Sequence, residues 1–290
     1  MNQAKFNPQE TEDGSYTFYS EEFAEAFHSY RGAKQEAEIK YVVPTLIREK
    51  ATKQKKICLL DVCYGLGYNS AAAISAIHSI APQCQIELIA LEIDPHVPRQ
   101  AIAQKLLLQW QSPTPQILEE LADKSLVKND FLQAQLLLGD ARKTIGEIAP
   151  QWQADAIFLD PFSPPKCPQL WTVEFIALVA KRLKSNGRLA TYSCAAAVRA
   201  AFSAAGLKFC SIDTGKNFSP GTVASLEYKN ILPLSQREIE HLQTRAAVPY
   251  RDETLQKSPA EIRHRRQQEQ QTSVLETSSQ WRKRWMLSNI

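Results

Sequence analysis

Residues 57–70 read ICLLDVCYGLGYNS. Four apolar residues run into an acid, Asp61. Two glycines follow, Gly65 and Gly67, and a helix-like pattern starts near Asn69. A short apolar run that ends in glycines and passes straight into a helix is how a strand buried on both faces enters a crossover. Glycine at such a corner lets the backbone turn tightly and come close to a ligand, or serves only the turn itself.

The same alternation continues along the chain. Strands are expected at 57–62, 86–91, 135–138, 156–159, 188–192, 207–212 and 222–228, with helices near 69–79, 95–109, 141–149, 173–184 and 195–205 between them. Short apolar runs alternating with helices predict βαβ units and a parallel sheet. The last two strands, joined by DTGKNFSPG, read as an antiparallel hairpin. The fold class is therefore α/β and Rossmann-like, a mostly parallel seven-stranded sheet with an antiparallel last strand. Residues 20–49 read as two helices divided at Gly32, with Ser20 as cap and Glu21 and Glu22 in the first turn. Residues 110–130 read as a helical insertion. The expected organisation is an N-terminal segment over 1–52, a central domain over 53–229 and a basic, partly helical extension over 230–290.

Composition bounds the function class. The chain has 290 residues, 44% apolar and 22% charged, which suits a globular domain with an ample core. Its formal charge is +3. Residues 235–290 alone hold ten Lys/Arg against seven Asp/Glu, so the extension carries the excess. The first residues lack an apolar signal core, and no run reaches the roughly 18 apolar residues that span a bilayer. A cytoplasmic protein without a membrane partner is expected. The six cysteines form no CxxC pair and read as buried, reduced thiols; the five histidines have no ligand spacing, so no metal is expected.

In a parallel α/β sheet, ligands sit beyond the carboxyl ends of the strands. The first strand ends in Asp61 and the glycine loop to Asn69. The second ends in Glu92, 27 residues after Gly65, where a carboxylate can accept the two hydroxyls of a ribose. The third ends in Gly139, Asp140 and Ala141; Asp140 can accept from an exocyclic amine, cap the next helix, or do both. The fourth reads AIFLDPFSPPK, delivering Asp160 into a loop stiffened by Pro161, Pro164 and Pro165. A glycine loop, a ribose acid, an adenine acid and a reaction-site acid together match S-adenosylmethionine-dependent methyltransferases. The nicotinamide fingerprint needs a third glycine where Ser70 stands.

Three segments carry a more specific resemblance: TEDGSYTFYSEEFAEAFHS (11–29), LDPFSPPKCPQLWT (159–172) and LATYSCAAAVRAAFSAAGL (189–207). Over about residues 10–228 the chain resembles the methyltransferase domain of the tRNA 5-methylaminomethyl-2-thiouridine biosynthesis protein family. The most specific part is matched by Asp160, Phe162, Pro164, Lys166, Pro168, Trp171 and Thr172. The resemblance implies a class I S-adenosylmethionine-dependent fold and methylation of the aminomethyl group on the wobble uridine of tRNA, recognised through the anticodon stem-loop, with no DNA partner. It implies cofactor binding by Asp61, Gly65, Gly67, Asn69, Glu92, Asp140, Ala141 and Asp160. Cys63 stands where the family's first loop glycine is expected, and Lys216 is the one cation in GKNFSPGTVASL. About 60 residues follow the last strand without a dinucleotide fingerprint, so a standalone form without flavin chemistry is expected.

The chemistry assigns roles. An amine attacking a sulfonium methyl needs alignment and a carboxylate to orient it and receive its proton. Asp160 is placed for this, with Phe162 available to stack on a flipped base or to anchor the core. Tyr19, Lys166 and Tyr192 are the further substrate candidates, and Glu22 and His28 belong with Tyr19 to a segment expected over the mouth of the site. Trp171 reads as packing and Thr172 as a helix cap. Trp281 and Trp285, with Arg282, Lys283 and Arg284 between, suit either RNA or docking on the body. The competing readings are an aminopropyltransferase of the polyamine synthase kind, a methyltransferase of small amines, and a non-catalytic RNA-binding module.

Overall fold

The run from Lys56 forms the centre of an eight-stranded sheet in the computed structural model, which describes residues 6–215, 218–227 and 233–287. The strands are β1 (Lys56–Val62), β2 (Gln85–Glu92), β3 (Leu126–Lys128), β4 (Leu132–Leu138), β5 (Ala154–Leu159), β6 (Leu183–Thr191), β7 (Lys208–Ile212) and β8 (Gly221–Ser225). Their spatial order is β7-β8-β6-β5-β1-β2-β4-β3. β1 pairs in parallel with both β2 and β5, Leu60 lying opposite Ile89 on one side and Ile157 on the other. β8 runs antiparallel between β6 and β7, as expected for the closing hairpin. The order reverses between β1 and β5, which opens a crevice at their carboxyl ends.

Side chains of β1 alternate between two apolar layers. Ile57 and Leu59 join Ile74 and Ile77 of helix α3 (Tyr68–Ile80) on one face. Leu60 and Val62 join Ile157 and Ile176 on the other, the latter from α7 (Val173–Lys181). Because both faces are covered, the strand is buried from Ile57 to Val62, Asp61 included. Among the described residues no helix is long and apolar enough to cross a membrane. All six cysteines are unpaired; Cys58, Cys84, Cys167 and Cys210 are buried as expected, whereas Cys194 is exposed.

Three expectations are corrected. The insertion at 110–130 is helical only over Thr114–Lys124 (α5); Ser125 then takes a left-handed φ of 60° and the chain returns as β3, the eighth strand, antiparallel to β4. Val127 alone of its three residues is buried, too short an alternation to read. Residues 20–32 are not helical. Tyr19–Ser20 and Glu25–Ala26 form a small antiparallel hairpin, and the Ser20 hydroxyl accepts from the Phe23 amide to close a turn. Aromatic packing decides this: Phe18 is fully buried and meets Phe6 and Phe27 edge to face. Helix starts only after Gly32, whose φ of 140° no other residue adopts readily: α1 (Ala33–Ala37), a π turn (Glu38–Val42) and α2 (Ile47–Ala51). β6 begins earlier than expected, at Leu183, because a register shift between Leu183 and Arg188 absorbs the polar Lys184-Ser185-Asn186. Tyr228, the expected end of the last strand, and Lys216 lie outside the described residues.

The C-terminal residues pack against the sheet domain. Helix α10 (Pro259–Thr272) opens with the expected capping box between Ser258 and Glu261. It buries Ile262 completely, in the same apolar layer as Trp171 and Tyr250. Helix α9 (Gln236–His241) sends Glu238 to the buried guanidinium of Arg199, at 2.8 Å. In α11 (Ser278–Leu287), Trp281 is buried and stacks on His241 at 4.5 Å, and Trp285 donates to Glu240. Both indoles therefore dock on the protein, while Arg282 and Lys283 are exposed. Ile262→Ala removes the one buried residue of α10; a loss of about 2–5 kcal/mol in urea unfolding is expected, with faster proteolysis inside 233–287 under native conditions. An unchanged cleavage pattern would show that Ile262 does not hold the extension.

Candidate active site

A cavity of about 830 Å³ opens over the carboxyl ends of β1, β2, β4 and β5. Of the expected site residues, Gly65, Glu92, Asp140, Ala141, Asp160, Phe162 and Tyr192 line it. Asp61, Gly67 and Asn69 stand behind its wall. Asp61 is fully buried and accepts from the Ser70 hydroxyl at 2.6 Å; Asn69 donates to Asp160. Gly67 leads into α3 with a φ of 85°, and a Cβ there would lie 2.5 Å from the Tyr64 hydroxyl oxygen. Tyr19, Glu22 and Lys166 are exposed and do not line the cavity. His28 does, as a neutral imidazole, since burial pushes its pKa down to about 4.

The glycine loop is tied to the tip of β2. Gly65 N–H donates to Glu92 Oε2 at 2.7 Å, and Ile93 and Asp94 amides donate to Oε1 at 2.9 Å. Three backbone donors fix this carboxylate, and burial raises its pKa. Cys63 takes a left-handed φ of 68°, a conformation that favours glycine, at a strain on the order of 1–2 kcal/mol.

Asp140 caps helix α6 (Ala141–Thr144), accepting from the Arg142 amide at 3.0 Å. The Arg142 side chain also folds back onto both carboxylate oxygens at 2.7–3.1 Å. Against the upward push of burial, these bonds hold the Asp140 pKa below its ordinary value. A ligand amine reaching Asp140 must share those lone pairs with Arg142. Arg142 in turn donates to Asp252 and to the Lys257 carbonyl, at 3.3 and 3.0 Å. The far wall of the cavity is thus braced from the C-terminal extension.

At the other end, Asp160 leaves β5. Tyr41 donates to its Oδ1, and Asn69 Nδ2 donates to its Oδ2 at 2.8 Å. Burial pushes its pKa up to about 7, against the bonds from Tyr41 and Asn69, while Glu36 adds to the rise and Lys40 opposes it. Burial likewise pushes Asp61 to about 8 despite the Ser70 bond. The proline loop is held at three points. Tyr192 donates to the Pro161 carbonyl at 3.0 Å, Trp171 to the Phe162 carbonyl at 2.8 Å, and the Ser163 amide to Glu25 at 2.9 Å. Trp171 is fully buried and Thr172 caps α7, both as expected. Phe162 stacks on Phe23 at 4.2 Å and makes a T-shaped contact with Phe27 at 5.0 Å. One face of Phe162 is therefore covered by the N-terminal hairpin.

The residues fit a cationic nucleoside ligand. Buried carboxylates gather at the ends of β1, β2 and β5 with raised pKa values, and Asp61 Oδ1 and Asn69 Oδ1 have no hydrogen-bond partner among the described residues. Positive charge in the cavity would relieve that desolvation. S-adenosylmethionine carries a sulfonium and an ammonium on a nucleoside. Gly65 and Glu92 would hold its ribose end, and Asp160 would face its methyl. Among the described residues no His, Cys, Asp and Glu cluster suits a metal ion. Sequence reasoning missed Tyr41, Glu36, Lys40, Arg142 and Asp252. Tyr41 lies 119 residues from Asp160, and no local pattern marks that pairing.

Comparison with known proteins agrees with this geometry. A family described as S-adenosyl-L-methionine-dependent methyltransferase matches residues 98–226. The crystal structure of MnmC2 from Aquifex aeolicus superposes with a TM-score of 0.82 at 34% identity, covering 92% of this chain and 86% of that one. An uncharacterized protein from Methanocaldococcus jannaschii is 31% identical over 260 residues, 85% of this chain and 67% of that protein. The tRNA 5-methylaminomethyl-2-thiouridine biosynthesis bifunctional protein MnmC from Aromatoleum aromaticum is 28% identical over 207 residues, 68% of this chain and 31% of the relative. The chain thus spans about a third of the bifunctional relatives it matches. With its strand order, its glycine loop and its carboxylate at the tip of β5, the chain belongs to the S-adenosyl-L-methionine-dependent methyltransferases of the MnmC methyltransferase-domain family.

Proposed function

We propose that this protein transfers a methyl group from S-adenosylmethionine to the 5-aminomethyl amine of the wobble uridine in tRNA, giving 5-methylaminomethyluridine, with the (2-thio)uridine as ring. The observation that carries this reading is Asp160, a carboxylate set by two donors at the cavity end of β5. The names of the MnmC relatives supply the substrate class. No flavin step belongs to the proposal. The exposed Arg282 and Lys283 support RNA contact, and the cytoplasm is the proposed compartment.

S-adenosylmethionine, when bound, supplies a methyl group on a positively charged sulfur that leaves as a neutral thioether. The protein aligns the acceptor amine with it, a contribution of roughly 7–11 kcal/mol for a well-held pair. Asp160 accepts a hydrogen bond from the neutral amine and the proton released once nitrogen has gained the methyl carbon. Tyr41 and Asn69 keep that carboxylate aimed. Pro161 to Ser163 keep the loop beside it still, through Tyr192, Trp171 and Glu25.

The test is methyl transfer from labelled S-adenosylmethionine to tRNA from cells lacking this gene, with nucleoside analysis. Label in 5-methylaminomethyluridine is expected. Label found only in free amines would replace the tRNA reading with a small-molecule acceptor. Asp160→Ala should lower kcat by about 10²–10⁴ while the dissociation constant of S-adenosylhomocysteine changes less than about threefold; unchanged turnover would remove Asp160 from the mechanism.

The same carboxylate links pH to stability. Its folded pKa, about 7, lies above the ordinary 3.8. Its contribution to stability is complete below about pH 4 and is lost as pH rises through 7. Asp160→Asn should therefore melt higher than the wild-type protein at pH 8, by about 2–4 °C per kcal/mol gained, with the difference shrinking as pH falls and closing only by about pH 4. A gap that is the same at both pH values would show that Asp160 ionises as an ordinary surface acid.

A further inference from the structure

Lys40 has no part in the mechanism above, yet it is almost fully buried in the cavity wall, at 3% exposure. Its ammonium donates to Glu36 Oε1 at 2.8 Å, and Glu36 in turn accepts from the Ser29 amide. Desolvating both ions offsets much of their attraction, so the pair is poorly explained as a stabilising device. Lys40 Nζ lies 5.9 Å from the ring centre of Tyr192 and 5.7 Å from that of Phe218. Glu36 is its one hydrogen-bond acceptor among the described residues, against three N–H donors. Two donors are left in an aromatic-walled recess.

The recess adjoins the reacting end. Tyr41, the next residue, donates a hydrogen bond from its hydroxyl to Asp160 Oδ1 and accepts one from the Tyr192 amide at 3.3 Å. Tyr41 thus links Asp160 to the Tyr192 backbone, and the Lys40 ammonium lies over the Tyr192 ring. A flat ring entering here meets aromatic faces and a charged donor, and the ring must carry its reactive amine toward Asp160. A pyrimidine with an aminomethyl group on C5 has its C4 carbonyl one bond away from the substituted carbon. Resting on the substrate class proposed above, we infer that Lys40 is a specificity-determining residue that donates to the C4 carbonyl of the acceptor pyrimidine, with Glu36 as the positioning residue that aims it.

The experiment pairs a protein change with a substrate change. Lys40→Met and Lys40→Arg are assayed on an anticodon stem-loop RNA carrying 5-aminomethyluridine, and on the same RNA with the C4 carbonyl replaced by C–H. Lys40→Met should lower kcat/KM on the first RNA by about 10–100-fold, chiefly through KM, the size of a charged hydrogen bond. Affinity for S-adenosylhomocysteine should stay within twofold, and Lys40→Arg should recover most of the loss. Removing the carbonyl should cost the wild-type protein the same factor and Lys40→Met nothing more. Independent, multiplicative losses would overturn the inference, and so would a loss of cofactor affinity with an unchanged KM for RNA. Should Lys40→Met fail to fold, Glu36→Gln/Lys40→Met, which removes both charges together, is judged by the same two ratios. Wild-type protein inactive on the first RNA would overturn the substrate proposal and this inference with it, whereas an active wild type with independent losses would overturn this inference alone.

Discussion

A carboxylate held out of bulk water at the end of β5 sets much of what surrounds it. An ionised acid in such a place needs donors, and Asp160 finds them in Tyr41 and Asn69, from a π turn and from the first turn of α3. Those two donors are placed by different supports. Asn69 is fixed because Gly67 turns the chain out of the loop after β1, at a φ of 85°. Tyr41 is fixed because it is buried edge-on against Phe158 of β5, at 5.8 Å. The acid is therefore satisfied only when the N-terminal segment, the glycine loop and the sheet are assembled together. Even so, burial outweighs the two donors and its pKa remains raised. A cationic ligand in the cavity would relieve that buried charge.

The loop after Asp160 follows the same logic. Pro161, Pro164 and Pro165 remove amide donors, so the loop carbonyls must be met by side chains from elsewhere. Tyr192 and Trp171 meet two of them, and each ring then packs edge to face with the other at 6.1 Å. The N-terminal hairpin closes the outer side through Glu25 and the Phe23–Phe162 stack. Phe162 is thus a structural anchor, stacked on Phe23 and met by Phe27, and it also lines the cavity.

The sequence was informative wherever one element carries its own signal. The strand–glycine–helix corner at 57–70, the caps at Thr172 and Ser258, and the acids Glu92, Asp140 and Asp160 after three strands all depend on residues within a few positions of each other. It misled where tertiary packing overrides a local pattern. Ser20 followed by two acids looks like a helix start, but the packing of Phe18, fully buried, and of Phe23 and Phe27, half-buried, draws the segment into a hairpin over the cavity. It was silent where function needs partners far apart. Lys40 and Glu36 drew no reading from the sequence, since an i,i+4 pair of opposite charge is ordinary on an exposed helix face, and only the fold buries both. Asp140 showed itself as a cap and a candidate ligand, and only the structure adds Arg142 as a competitor for its oxygens.

That competition ties the C-terminal extension to the Asp140 end of the cavity. Arg142 cannot leave Asp140 without rearranging its bonds to Asp252 and Lys257, and Asp252 is itself fully buried, held by the Lys257 amide and the Thr254 hydroxyl. Glu174 at the start of α7 accepts from the Asp252 amide and pairs with Arg251, so the same short segment is also tied to the helix capped beside the proline loop. One stretch, 250–258, therefore braces the Asp140 end of the cavity directly and reaches the helix that follows the Asp160 loop. A basic extension that served only to attract RNA would need none of these buried bonds. Its inner half acts as a brace for the site, and its cationic character lies further out, on α11.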